Sequence, residues 1–227
     1  MIARFIQRCS DTSDPAYADY IKSRGFEVDD LKDFKLGFYR WSFADGKNLK
    51  IARVFDKSIL LPCYDDVPIP VGFELRTTVG KGHYKQHDHG GRYHFFGMTE
   101  RALDAIFTTE EVFLTEGTFD TAAFSLWKPN VLSLMTNKIT EQHLLFLKRY
   151  VKRMYLCFDV DKWGAIQQEK EMTSLGLLAS KFVYLKVTDT YVVDGKPKRA
   201  KDANDLLKGL GKSKFIKTLN TRFNDSF

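Results

Sequence analysis

From residue 110 onward, short apolar runs alternate with segments of helical periodicity, and no other feature constrains the fold as strongly. The apolar runs are predicted strands and the periodic segments are predicted helices. In chain order they are the strand Val112–Leu114, the helix Thr118–Trp127, the strand Val131–Leu134, a helix capped by Thr140 with Leu144, Leu145, Leu147 and Val151 as its apolar stripe, the strand Met154–Phe158, the helix Gly164–Leu175 and the strand Phe182–Val187. Alternation at this length forms β-α-β units, so the sequence predicts an α/β fold with a mainly parallel sheet.

The first hundred residues predict a separate, mixed α/β lobe. Asp14 and Pro15 favour a helix start, because aspartate caps exposed amides and proline is tolerated in the first turn. Gly25 favours the end of that helix, and a second short helix is expected over Val28–Phe34. Strands are expected at 49–54, 58–62 and 71–76, with turns at 44–46 and 65–68. We therefore predict subdomains over residues 1–108 and 109–210, followed by a basic helix over 211–227.

The composition favours a folded protein that is neither secreted nor embedded in a membrane. Hydrophobic residues make up 44% of the chain, which is enough for a packed interior. No stretch approaches the roughly 18 apolar residues that a membrane span needs, and the N-terminus has no apolar signal region. We expect a cytoplasmic protein.

The three cysteines predict neither zinc binding nor disulfide bonds. Cys9, Cys63 and Cys157 lie far apart and none forms a Cys-x-x-Cys pair, which excludes a zinc ribbon. Cys157 lies inside an apolar run and is expected in the core.

Positive charge is concentrated near the C-terminus. The net charge is +6, and residues 196–222 hold nine Lys or Arg against Asp202 and Asp205. This segment is either a phosphate-binding flank or a solvated amphipathic helix, and the sequence leaves both interpretations open.

Carboxylates follow two of the predicted parallel strands. Glu116 comes after the first strand, and Asp159 and Asp161 follow the strand that ends at Phe158. Sites in α/β sheets form at the carboxyl ends of strands, and side chains two residues apart point to the same side. Asp120 lies one helical turn beyond Glu116 and is expected to face the same pocket.

Acids gathered at one edge of a sheet repel one another unless cations neutralise them. Mg²⁺ or Mn²⁺, as two ions about 4 Å apart, would suit these acids and could stabilise the attacking and leaving oxygens of a phosphoryl transfer. The alternative is that the acids are ordinary helix caps. Because Glu-Gly-x-x-Asp and Asp-x-Asp both follow apolar strands, the pattern favours a metal site.

Two segments carry a family resemblance. The run Val112–Asp120, an apolar strand followed by Glu-Gly-x-x-Asp, resembles the first TOPRIM motif. The run Tyr155–Gly164 resembles the TOPRIM Asp-x-Asp motif, and Ile139–Leu144 is similar to the helix start between the two. The resemblance implies a Rossmann-like TOPRIM domain over residues 109–210.

Three further segments narrow the resemblance to one class of TOPRIM protein. Tyr20–Gly37 is similar to the Tyr-Leu-x-x-Arg-Gly…Phe-x-Leu-Gly signature of DnaG-type primase catalytic cores. Leu60–Arg76 resembles the family's next segment, which contains Gly-Phe-x-x-Arg, and Lys201–Leu207 resembles a stretch typical of phage primases. The resemblance covers residues 14 to about 210 and implies a primase core of phage or mobile-element character.

The resemblance implies roles for individual acids. Glu116, Asp159 and Asp161 would be catalytic and would hold metal, and Asp202 would be a further metal ligand. Asp120 would support the metal site from outside. The implied reaction is attack of a 3′-hydroxyl on the α-phosphate of a ribonucleoside triphosphate, paired to a single-stranded DNA template.

The resemblance also implies basic residues that contact nucleotide and template. They are Arg76, Lys81, Tyr84, Lys85 and Arg92, where Lys81 or Lys85 replaces a lysine expected at His83 and Arg92 replaces another lysine. Histidines in the window 83–94 lack cysteine partners, so the window is expected to be a partly solvated loop and not a zinc site.

Two other functions use the same features. A TOPRIM nuclease would attack with water, but such nucleases lack the N-terminal lobe. A non-catalytic nucleic-acid-binding accessory protein would keep the fold, but the acids are present at every expected position. A primase of this size is expected to act with a replicative helicase or a separate template-recognition protein, in a bacterial host cell.

Overall fold

Two β-sheets of different kinds organise the chain. The computed structural model describes residues 2–41, 53–64, 69–80, 82–87, 95–136, 139–158, 182–184, 190–193 and 195–223. Several predicted features lie outside these ranges: the turns at 44–46 and 65–68, residues 49–52 and 185–187 of two predicted strands, and the helix at 164–175.

The first sheet is antiparallel and belongs to the N-terminal lobe, with the strand order β1-β2-β3-β4. The elements of this lobe are α1 (Ile2–Arg8), α2 (Pro15–Ser23), a 3₁₀ helix (Val28–Phe34), β1 (Gly37–Tyr39), a second 3₁₀ helix (Arg53–Phe55), β2 (Ser58–Tyr64), β3 (Pro70–Thr77) and β4 (His83–His87).

Local chemistry explains the helix bounds that the sequence predicts. The Asp14 side chain caps α2 by accepting a hydrogen bond from the Ala16 amide, and Gly25 follows the helix with a φ of +87°. Close packing explains why glycine stands at position 37, in the Leu-Gly signature. A Cβ on Gly37 would lie 2.5 Å from the Cys9 carbonyl oxygen. These predictions are confirmed, and so is the short helix at Val28–Phe34.

Other predictions for this lobe are wrong. Residues 53–54, expected in a strand, belong to a 3₁₀ helix. Residues 83–87, expected in a loop, form β4, which pairs with β3 in antiparallel register. Their polar sequence does not alternate as a half-buried strand does, so the pairing with β3 decides their conformation and not their own propensity.

The second sheet is parallel and has the order β6-β5-β7-β8. Its elements are α3 (Glu100–Thr109), β5 (Glu111–Thr115), α4 (Thr118–Ser125), β6 (Val131–Ser133), α5 (Glu141–Tyr150), β7 (Arg153–Leu156) and β8 (Phe182–Tyr184). An antiparallel hairpin of β9 (Thr190–Val193) and β10 (Lys196–Arg199) follows, then α6 (Ala203–Leu210) and α7 (Lys212–Phe223). The predicted parallel α/β fold is confirmed.

Helix α5 shows one detail that the periodicity misjudged. Thr140 caps the helix as predicted, with its hydroxyl accepting from the His143 amide. Leu145 was expected on the buried stripe, yet 67% of it is exposed. Phe146 and Leu147 fill the buried face.

One hydrophobic cluster joins both sheets and the last two helices. It contains Phe38 and Ile59 from the first sheet, Phe113 from the second, Leu207 from α6 and Phe215 from α7. Backbone hydrogen bonds continue across the junction, since the Tyr64 amide donates to Phe95 and the Phe96 amide donates to Ser133. The two sheets therefore share one core and are linked by backbone hydrogen bonds through Phe95 and Phe96. Among the described residues, no helix has the length and apolar character to cross a membrane.

Candidate active site

The turn from β5 into α4 places Glu116 at the carboxyl edge of the parallel sheet. The Ser133 hydroxyl, at the end of neighbouring β6, donates to the Glu116 carbonyl at 2.9 Å. The hydroxyls of Thr115 and Thr121 lie 2.6 Å apart and tie the strand end to the helix. These contacts fix the backbone that carries the Glu116 side chain.

A cavity of about 380 Å³ opens at this edge and is lined by charged groups of both signs. Its acids are Glu116, Asp120 and Asp202, and its bases are Arg24, Arg76, Lys85 and Lys201. The acids come from α4, α6 and the turn before α4, whereas Arg24, Arg76 and Lys85 come from the N-terminal lobe. The fold thus brings five of the ten predicted site residues to one cavity.

Asp202 combines two roles. One carboxylate oxygen caps α6 by accepting from the Asp205 amide at 2.6 Å, as the capping alternative requires. The other oxygen lies 3.5 Å from the Lys201 ammonium, and the residue lines the cavity. Capping and cavity lining therefore coexist in this residue.

Asp120 is turned towards α6. Its Oδ1 accepts a hydrogen bond from the Asn204 amide at 3.0 Å. Gly117 leaves room for this arrangement, because a Cβ there would lie 2.4 Å from the Asp120 Oδ2. The same carboxylate raises the pKa of the Cys157 thiol, after the larger effect of burial.

Arg24 is a cavity residue that was not among the predicted site residues. Its guanidinium packs over the Phe119 ring, 4.6 Å from the centroid, and lies 3.4 Å from the Asn204 side-chain oxygen. The side-chain nitrogen of Asn204, Nδ2, in turn donates to the Arg24 carbonyl at 2.7 Å. The signal that could have identified it is present in the sequence, since Arg24 is the arginine of the Arg-Gly signature.

Arg76 and Lys85 project from the sheet face that is turned to the acids. Lys85 lies opposite Glu74 in the β3–β4 register, and Arg76 is two residues from Glu74 on the same face. The Lys85 ammonium donates to the carbonyl of Met135, in the segment that follows β6. This hydrogen bond connects the basic strand to the acidic edge.

Tyr84 lies on the other face of the same sheet. It opposes Leu75 in the register, and its ring lies 5.5 Å from the Phe55 ring and 6.3 Å from the Phe73 ring. Burial raises the pKa of its phenol. The structure does not bring Tyr84 to the acidic cavity.

Four predicted site residues, Asp159, Asp161, Lys81 and Arg92, lie outside the described residues. The chain just before Asp159 is placed, because the Cys157 amide donates to the Leu114 carbonyl at 2.8 Å, two residues before Glu116. Within the described residues, no group of three or more His, Cys, Asp or Glu is close enough to hold a metal ion.

A second cavity, of about 400 Å³, adjoins the first and shares Arg24 and Arg76 with it. Its remaining lining comes from the end of α2, the β3–β4 turn region and α6, namely Tyr20, Ser23, Thr77, Gly80, Gly82, His83 and Lys208. The first cavity thus contains acids and bases, whereas the described lining of the second contains bases and no acid.

The chain is similar to known proteins in sequence and in structure. Residues 113–207 match a sequence family described as Toprim-like. A search of curated proteins found no significant match. This segment of the chain is thus similar to Toprim-like sequences, and Glu116, Asp120 and Asp202 all lie within the matched residues.

Solved structures match the chain over nearly its whole length. The zinc-binding and RNA polymerase domains of the Aquifex aeolicus primase superpose with a TM-score of 0.72 at 20% identity, covering 97% of this chain and 59% of that one. The RNA polymerase domain of Mycobacterium tuberculosis primase DnaG, in complex with a double-stranded DNA oligomer with a 6-nucleotide overhang, gives 0.73 at 17%, covering 97% and 78%. A DnaG primase catalytic domain bound to single-stranded DNA gives 0.68 at 18%, covering 97% and 78%.

These likenesses establish the fold. The chain has the fold of a DnaG-type primase catalytic core that contains a TOPRIM domain, which confirms the resemblance seen in the sequence. It spans about three fifths of the Aquifex aeolicus chain, which carries a zinc-binding domain as well.

Proposed function

We propose that this chain is a DNA primase that synthesises short RNA primers on single-stranded DNA by metal-dependent nucleotidyl transfer. The observation that carries the proposal is the shared cavity, in which Glu116 and Asp202 of the parallel sheet region face Arg76 and Lys85 of the N-terminal lobe. Acids that suit a metal and bases that suit phosphate are both needed for phosphoryl transfer. The primase-core fold supports the same activity.

The acids of the cavity fit a divalent metal by their chemistry. Glu116 and Asp202 present carboxylate oxygens to one cavity, and Mg²⁺ or Mn²⁺ prefers such ligands. We propose that Asp159 and Asp161, which follow β7 in the sequence, complete the set for two ions. When bound, the metal would supply positive charge against the phosphate oxygens and the entering hydroxyl.

The chain's own bases would orient the nucleotide. Arg76 and Arg24 line both cavities, where guanidinium groups could bind the triphosphate of an incoming ribonucleotide. Lys85 would contribute a further charge at the acidic end. Lys81, Arg92 and Tyr84 stay proposed template or nucleotide contacts, of which Tyr84 faces away from the cavity.

Asp120 would act indirectly, as the sequence suggested. Its hydrogen bond to the Asn204 amide holds the start of α6, and with it Asp202, against the turn that carries Glu116. It would therefore position the acids without contacting the substrate.

The partners and the domain plan belong to the same proposal. Single-stranded DNA is the proposed template, and the DNA complexes of solved primase cores support this choice. We propose functional subdomains at 1–108, 109–210 and 211–227. The primase would act together with a helicase or a template-recognition protein. It would be encoded by a phage or mobile element and would work in the bacterial cytoplasm.

The proposal is tested by supplying single-stranded template, labelled ribonucleotides and Mg²⁺ or Mn²⁺. We expect di- and oligoribonucleotides that require template, metal and Asp159. Degradation of the template without RNA synthesis would instead identify a TOPRIM nuclease. Binding of the template without either reaction would identify an accessory protein.

A further inference from the structure

A buried carboxylate lies behind the basic wall of the cavity. Glu74 is only 1% exposed, although it stands in the middle of β3, at a variable position of the Gly-Phe-x-x-Arg segment. It shares the inner sheet face with Leu61 on β2 and Lys85 on β4, its partners in the register. A buried charge is costly unless it is paired, so the contacts of this carboxylate need a reason.

Its hydrogen-bonded partner is a basic residue of the site. Glu74 Oε1 accepts a hydrogen bond from the Arg76 Nε, and the two groups form a salt bridge. Glu74 Oε2 is buried and has no hydrogen-bond partner among the described residues. Glu74 raises and Lys85 lowers the pKa of the Cys63 thiol, beside the larger effect of burial. The Lys85 ammonium and the Glu74 carboxylate therefore both affect the same buried thiol, with opposite signs.

The geometry of the Arg76 contact has a chemical consequence. Glu74 binds the Nε of the guanidinium, so the two terminal nitrogens remain available to donate to a ligand. Arg76 lines both cavities, where such a ligand would lie. A guanidinium held by one edge presents its remaining donors in a fixed direction, which suits a phosphate group. Lys85 is held in turn by the Met135 carbonyl.

We propose that Glu74 is a positioning residue that holds Arg76 in the orientation that binds the triphosphate of the incoming nucleotide. The identity of this ligand rests on the proposed function. Glu74 itself does not line either cavity and would not touch the nucleotide. It would act through the orientation of the Arg76 guanidinium.

The sign of the effect separates positioning from simple charge neutralisation. If Glu74 only offset positive charge, Glu74→Gln would strengthen the binding of a polyanion. If Glu74 holds the guanidinium in place, the same change weakens binding although the net charge becomes more positive. We expect the second result.

The experiment measures binding of ATP and GTP by calorimetry with Mg²⁺ present, and KM and kcat in the priming assay. For Glu74→Gln we expect Kd and KM to rise about tenfold and kcat to stay within about twofold, because the lost interaction acts equally on ground and transition states. Unchanged or tighter binding would overturn the proposal. So would a fall in kcat alone.

Coupling to Arg76 provides the second readout. Glu74→Gln in the Arg76→Gln background should change Kd by less than about twofold, since the group that Glu74 orients is already gone. Fully additive effects would show that Glu74 acts elsewhere and would contradict the proposal. Glu74→Asp keeps the charge but shortens the side chain, so it should weaken binding by about threefold if Glu74 positions Arg76 and leave binding unchanged if Glu74 only offsets charge; it carries the test if the Gln variant does not fold.

Glu111 offers a matched control. It is also a strand glutamate in a salt bridge, with Arg153 at 3.0 Å, but it lies at the start of β5, the opposite end of the strand from Glu116. Glu111→Gln should leave nucleotide Kd unchanged. The result also separates the two proposals: weaker nucleotide binding without primer synthesis would leave the role of Glu74 standing and refute priming, and primer synthesis with normal binding in Glu74→Gln would do the reverse.

Discussion

At the scale of single residues, the acids of the cavity have different surroundings and should therefore tolerate substitution differently. Glu116 stands at the strand end with its backbone fixed by Ser133, whereas Asp120 is turned to the Asn204 amide. The proposed metal ligand must be charged. The supporting acid mainly needs an oxygen that accepts a hydrogen bond.

Glu116→Gln and Asp120→Asn test this difference. We expect Glu116→Gln to reduce primer synthesis by about 10³-fold or more, because the amide cannot replace a carboxylate ligand. Asp120→Asn keeps an acceptor for Asn204 and should cost only about tenfold, with a melting temperature lowered by a few degrees. Initial rates and thermal unfolding of both variants provide the measurement. Equal losses of activity would show that Asp120 is itself a ligand.

The sequence could identify acids better than the bases that face them. Glu116 and Asp202 follow recognisable motifs, and a motif needs only a short stretch of chain. Arg24 stands in the Arg-Gly signature, but its place in the cavity depends on a contact with the distant Asn204, and Glu74 is placed by the pairing of β3 with β4. Such pairings are set by strand register and helix packing, which local patterns do not encode.

At the scale of elements, the turn between β5 and α4 depends on one small residue. Gly117 has an ordinary φ of −97°, so its role is not backbone freedom. What it provides is space, because a Cβ would lie 2.4 Å from the Asp120 Oδ2. A side chain at this position forces the carboxylate away from the amide of Asn204.

Gly117→Ala should therefore destabilise the protein by about 1 kcal/mol, the net contribution of the hydrogen bond that the displaced carboxylate would lose. The measurement is the free energy of unfolding in urea. The Asp120→Ala background supplies the control, since in it the added methyl group meets no carboxylate and Gly117→Ala should cost little more. The same cost in both backgrounds would show that the methyl group clashes with something other than Asp120.

Element predictions succeeded where periodicity was strong and failed where pairing decided the structure. The apolar runs that become β5, β6 and β7 are buried on both faces, so their composition alone predicts strands. The strand β4 contains His83, Tyr84 and Lys85, and only its register with β3 reveals that Tyr84 and Lys85 point to opposite faces. The family resemblance assigns both residues to contacts with nucleotide or template. Their opposite orientations follow only once residues 83–87 are known to form a strand.

At the scale of the whole molecule, the two sheets and the terminal helices share one core, and we expect them to unfold as one unit. Phe215 of α7 is fully buried in the cluster that also holds Phe38 of the first sheet and Phe113 of the second. The nine basic residues of 196–222 are thus partly carried by a helix whose apolar face is packed, as an amphipathic helix requires. The cavity lies between lobes that this core holds together, so its geometry depends on packing far from the acids.

Phe215→Ala should test this unity. Truncating a fully buried phenylalanine costs about 3–5 kcal/mol, and because the core is continuous the loss should appear equally in both sheets. Hydrogen exchange at the amides of β3 and β5 would measure it: protection in the two strands should fall by the same factor in the variant. Val192→Ala is the control, because Val192 is 67% exposed and its truncation should leave exchange unchanged. If β5 loses protection while β3 keeps it, the lobes unfold separately, and the cavity between them would be a junction of two independently stable units whose basic and acidic walls can move apart.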